Sequence, residues 1–160
     1  MKHILYIIGF LLSLTVFSQE DKVLVITDST VADNWMILGM DWRFQKGDNI
    51  LWANPEIDDS TWNEFSSNNL NLIDGKNVIA DRGEIVWLRK RIMADQSLND
   101  ALVLNIFQEG ASEIYLDGKL IHQLGSVSSN KDEVIYHNPF SQVLHLPLEI
   151  GKEQILAVRF

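Results

Sequence analysis

An all-β fold is predicted for this 160-residue chain by three observations. Gly110 to Ile121 holds two short apolar-rich runs joined at Asp117-Gly118. Asp-Gly between such runs marks a two-residue hairpin, because a type I′ turn needs φ > 0 at both central residues. Met40, Trp42 and Phe44 alternate with Asp41, Arg43 and Gln45, the period-2 pattern of a half-buried strand. Helical periodicity is almost absent, while short apolar runs recur between Gly, Pro, Asn and Asp turn signals, a pattern that suits a sandwich or jelly roll.

The elements follow in chain order. Met1-Lys2-His3, the apolar Ile4 to Phe17, and Ser18 read as the charged, apolar and cleavage regions of a signal peptide spanning residues 1–18. As a helix the apolar part reaches about 21 Å, short of the roughly 30 Å hydrocarbon core, which favours a cleaved signal over an anchor. Residues 19–160 then form one domain. Its first strand ends at Gly47-Asp48-Asn49. Asp58-Asp59-Ser60-Thr61-Trp62-Asn63-Glu64 follows, where Thr61 with Glu64 resembles a capping box and predicts one helical turn. Ile85 to Ala94 is a second strand, and Ala101 to Phe107 a third, with Leu102, Leu104 and Ile106 on one face. The Asp117-Gly118 hairpin adds two, the polar Ser126 to Asp132 reads as a long loop, and Val143–Leu146 and Ile155–Phe160 complete the set. Phe160 falls inside an apolar run, so a C-terminal truncation is expected.

Composition excludes several functions. The net charge is −9, and removal of the signal, with Lys2 and no acid, makes it one unit more negative. Nucleic acid and anionic lipid surfaces both demand a basic face. No Cys is present, which removes thiolate catalysis, thiolate metal sites and disulfides and leaves an exported domain to packing alone. No segment after the signal is long and apolar enough to span a bilayer, so export places the domain on the periplasmic or extracellular side.

Catalytic signals are correspondingly thin. Gly47-Asp48-Asn49 lacks the nucleophilic hydroxyl of a Gly-Asp-Ser esterase start, and the chain has no G-x-S-x-G elbow. His122, His137 and His145 lack the i, i+4 spacing of a helical zinc pair. Adjacent Asp58 and Asp59 suit a capped turn better than an acid–base pair, which needs two carboxyls facing one cleft at roughly 5–9.5 Å. Arg89, Lys90 and Arg91 form one basic cluster in which alternation sends Arg89 and Arg91 to the same face, for pairing with carboxylates.

Three segments, Ile57 to Trp62, Gly83 to Lys90 and Gly110 to Gly125, in this order and spacing, resemble the galactose-binding-like jelly roll. The closest version is the sugar-binding domain of family 2 glycoside hydrolases. Asn138-Pro139-Phe140, Leu146-Pro147-Leu148 and Gly151 to Phe160 fit the end of that domain, with Lys152-Glu153-Gln154 in place of an expected Asn. In this pattern Asp58, Asp59, Trp62, Trp87, Asp117 and Gly118 are the structural motif. The Trp35, Trp42 and Trp52-Ala53-Asn54-Pro55 pattern is also similar to the extracytoplasmic N-terminal domain of bacterial membrane sensor proteins.

The resemblance implies a non-catalytic, extracytoplasmic carbohydrate-binding-like or sensory module of a larger exported or membrane-linked protein, with its downstream domain as a partner. The alternatives are an accessory sugar-binding domain of an exported family 2-like glycoside hydrolase and a structural spacer without ligand. Any activity, hydrolase or signalling kinase, phosphatase or cyclase, would lie elsewhere in the full protein. No cofactor is expected beyond a structural calcium at Asp58 and Asp59, as in jelly rolls of this kind, although the alternating oxygen ligands of a dedicated loop are missing. A carbohydrate site needs exposed aromatic rings beside convergent polar groups. Trp52 with Asn54, and Tyr136 with His137 and Asn138, meet that description, whereas Trp42, Trp62 and Trp87 are assigned to the core.

Overall fold

The computed structural model describes residues 22–31, 38, 41–65, 84–98, 102–106, 108, 110–137 and 142–160. The expected signal peptide at residues 1–18, Trp35, Met40, Gly83 and Asn138 to Phe140 lie outside the described residues. Nine strands make up the described fold: β1 Leu24–Ile26, β2 Trp42–Lys46, β3 Asn63–Phe65, β4 Val86–Ala94, β5 Val103–Ile106, β6 Ser112–Leu116, β7 Lys119–Leu124, β8 Gln142–His145 and β9 Glu153–Arg159. Two 3-10 turns, Ile50–Ala53 and Lys131–Glu133, accompany them, and no α-helix occurs among the described residues.

The larger sheet has the order β3-β2-β4-β9-β6-β7, and β1 joins it parallel to β4. β9 pairs along β4 from Trp87 to Met93, so β2 at Val86 to Arg89 and β1 at Ile92 to Ala94 share the opposite edge. β5 and β8 form a second, antiparallel sheet. Alternation decides what each face buries. Ile92, Ile114, Leu116 and Leu156 turn to one side of the large sheet and pack with Leu144 and Leu146, backed by Leu102, Leu104 and Ile106. The two sheets therefore enclose a shared core, the arrangement of a β-sandwich. Lys90 projects to this side too, with its ammonium 5.8 Å from the centre of the Trp42 ring. At the sandwich rim His122 Nε2 meets the His145 carbonyl at 2.7 Å, tying β7 to β8.

The opposite face of the large sheet carries Trp87, Tyr115, Ile155 and Ala157, covered by Ala53 and Trp62 from the 49–62 segment. A sheet buried on both faces explains why β4 reads as nine residues with so few exposed positions.

Local chemistry departs from one sequence expectation and refines another. The helical turn at Asp58 to Glu64 is instead one hydrogen-bonded turn, Trp62 N–H donating to the Asp59 carbonyl, followed at once by β3. Glu64 lies in that strand opposite Arg43, with a 3.2 Å ion pair, so it cannot reach back to cap a helix. The polar stretch from Ser126 is a closed loop, pinned by two backbone bonds between Ser126 and Ile135 and holding the second 3-10 turn under an Asn130 cap.

The hairpin has the geometry that Asp-Gly dictates. Asp117 and Gly118 take φ of 48° and 80°, and Asp117 Oδ1 accepts from the Ile155 N–H at 2.8 Å while Oδ2 accepts from Gln154 Nε2 at 3.0 Å. Lys152 stands 3.5 Å from the same carboxylate.

Candidate functional site

The residues with the richest chemistry gather where the 49–62 segment straps the large sheet. Short polar side chains shape this strap locally. Asn49 Oδ1 accepts from Leu51 N–H, Asn54 Oδ1 from Glu56 N–H and Asp58 Oδ1 from Ser60 N–H, each at 3.0 Å. Such bonds let Asn and Asp stabilise tight turns that neither helix nor strand supplies.

Arg89 on β4 fastens the strap to the sheet. Its side chain is fully buried, and Nε donates to Asp59 Oδ2 at 2.6 Å. The rest of the guanidinium donates to the carbonyls of Trp52, Asn54 at 3.0 Å and Ile57 at 3.4 Å. It also lies 5.7 Å from the centre of the Trp62 ring. One planar fork thus satisfies several buried acceptors at once, which an ammonium cannot do. Arg91, two residues on and on the same face, reaches Asp59 Oδ1 at 3.3 Å and Glu153 at 3.5 Å. Both oxygens of Asp59 accept from guanidinium groups, and its side chain is 3% exposed.

Around this ion cluster the aromatic side chains interlock. Trp52 meets Trp62 edge-on at 5.2 Å and Trp87 at 6.4 Å, and Trp87 lies 5.4 Å from Tyr115. Edge-to-face pairs of this kind add to simple burial. The indole N–H of Trp87 is buried with no hydrogen-bond partner. A Cβ added at Gly118 would lie in ordinary contact with the strap, 3.6 Å from the Ala53 carbonyl oxygen, so the hairpin tip sits beside the strap.

A second network closes the neighbouring edge. Arg159 makes a two-pronged pair with Asp48, both bonds 2.7 Å, and donates to Glu113 at 3.0 Å, while Tyr115 donates its hydroxyl to the same Glu113 oxygen at 2.6 Å. Burial, reinforced by the Glu113 carboxylate, raises the Tyr115 phenol well above its ordinary range. Asp58 differs: it is exposed, and hydrogen bonds from the Ser60 side chain and backbone hold it below the usual carboxylate value.

The residues expected to bind ligand divide into two groups. Trp52 is half-buried and takes part in the aromatic cluster, and Asn54 is exposed but gives its carbonyl to Arg89. Tyr136 is 70% exposed and His137 is exposed, on the stretch leaving the closed loop, where His137 N–H donates to the Gly110 carbonyl at 2.7 Å. Asn138 lies outside the described residues. Among the described residues no hydrogen bond or ring contact joins the two groups. Of the structural motif, Asp59, Trp62 and Trp87 are buried, Asp58 caps the turn, and Asp117 and Gly118 make the hairpin.

Asp59 is neutralised by two cations and Asp58 is engaged at the surface, an arrangement for holding a loop rather than for moving protons. No cluster of three His, Cys, Asp or Glu side chains suited to a metal ion occurs among the described residues. Sequence reasoning missed the Asp48–Arg159–Glu113–Tyr115 network. Its trace in the sequence is a charge at the end of an apolar strand, which tells that a partner is needed without saying where.

No protein-family model and no curated protein matches the chain. Its fold is similar to part of several solved glycosidases. These include a β-glucuronidase of Bacteroides uniformis, with a TM-score of 0.57 and 18% identity over 78% of this chain and 14% of that one. A glycosyl hydrolase family 2 member from Bacteroides cellulosilyticus DSM 14838 gives 0.54 and 18%, over 76% and 17% of the two chains. A β-glycosidase from Bacteroides vulgatus gives 0.52 and 17%, over 76% and 16%. The match spans less than a fifth of each of these longer proteins, and at such identities it is the fold that is shared.

Proposed function

We propose that this chain is a galactose-binding-like jelly roll serving as a non-catalytic, exported accessory module of a larger protein of the family 2 glycoside hydrolase type. The observation that carries this reading is the match itself: most of this chain corresponds to 14–17% of three glycosidases. The arrangement of the strap supports it, since its buried carboxylate is committed to Arg89 and Arg91. The sensory reading rests on the tryptophan pattern, and within that pattern Trp42 packs in the inter-sheet core.

The proposed ligand is a carbohydrate. Tyr136 offers an exposed ring for the C–H face of a sugar, and His137, next in sequence and also exposed, is proposed for its hydroxyls together with Asn138, which lies outside the described residues. Trp52 and Asn54 are the second group in this proposal. The test is a glycan array and titration calorimetry on the secreted chain, with a panel of chromogenic glycosides in parallel. Binding without turnover is expected, together with loss of binding in Tyr136→Ala at an unchanged unfolding midpoint. Hydrolysis by this chain alone overturns the non-catalytic assignment, and binding that survives Tyr136→Ala overturns the site. Failure to bind any glycan leaves the spacer reading in its place.

A further inference from the structure

We draw no further inference here: the strongest candidate, the exposed Ile50–Leu51 surface patch on the first 3-10 turn of the strap, is apolar and rigidly capped, but nothing in the structure shows what covers it.

Discussion

Replacing Asp59 by alanine leaves the Arg89 guanidinium buried, with only carbonyl oxygens and the Trp62 ring for company. In the native protein the two side chains are 3% and 0% exposed and 2.6 Å apart. Removing one partner of a buried, hydrogen-bonded ion pair costs about 3–5 kcal/mol, because the remaining charge cannot recover its hydration. The carbonyls of Trp52, Asn54 and Ile57 still accept from Arg89, which places the expected loss toward the lower end, about 3–4 kcal/mol. For a domain of this size that corresponds to a fall in Tm of about 10–15 °C. Urea unfolding followed by tryptophan fluorescence reads it directly, since Trp52, Trp62 and Trp87 all sit in the affected cluster. Arg89→Met combined with Asp59→Leu removes both charges and is expected to regain part of the loss. The recovery stays incomplete because three strap carbonyls lose their donor. A loss below about 1 kcal/mol in Asp59→Ala, or full recovery in the double variant, would refute the claim that Arg89 fastens the strap.

Other expectations follow from neighbouring features. Gly125→Ala should destabilise far more than Gly118→Ala in the same urea assay. An added Cβ at Gly125 lies 2.0 Å from the Ile135 carbonyl oxygen, whereas at Gly118 the nearest atoms are 3.6 Å away and the cost is backbone strain of about 1–2 kcal/mol. Equal losses in the two variants would mean that the closed loop yields freely. Tyr115→Phe should cost about 1–2 kcal/mol at neutral pH through the lost bond to Glu113. Because the folded-state value of Tyr115 is raised above the ordinary 10.0, its contribution is complete below that pH and declines as pH rises beyond it. Ultraviolet difference titration should show a tyrosine ionisation, absent in Tyr115→Phe, delayed beyond the ordinary phenol range; its absence in the native protein would contradict this. Asp58 and Asp95, both held below 3.8 by hydrogen bonds from Ser60 and Ser97 respectively, stabilise the fold above that pH and lose their effect as pH falls through the folded-state values. Asp58→Asn should therefore flatten the acid limb of the stability curve; an unaltered limb would show that the turn gains nothing from the charge.

What the sequence disclosed depended on how local the cause was. The β6–β7 hairpin was legible because Asp117-Gly118 sets its own backbone angles. β2 was legible from alternation and β4 as an apolar-rich run, along which alternation put Arg89 and Arg91 on one face. β1 was not: three residues, Leu24–Ile26, form a strand because β4 offers them an edge, and that edge is a tertiary fact. The strap misled for a related reason. Asp58 to Glu64 carries the letters of a capping box, but β2 recruits Asn63 to Phe65 as a strand and the helical turn never forms. Trp52 illustrates the limit at the candidate site. Its neighbour Asn54 suggested a sugar platform, while its ring packs on Trp62 and Trp87, partners that only the folded chain brings near.

The position of β9 governs the order in which this protein can assemble. β9 lies between β4 and β6, yet four of the described strands separate it from β4 along the chain. Until residues 153–159 arrive, β4 and β6 each present an unpaired edge, and the aromatic cluster lacks Ile155 and Ala157 beneath it. Closure of the sheet is thus a late, long-range event, the kind that slows folding and exposes strand edges in the meantime. A polypeptide emerging from its N-terminal end would hold the strap, the tryptophans and the hairpin in waiting, and the native sheet would form when its central strand slides in.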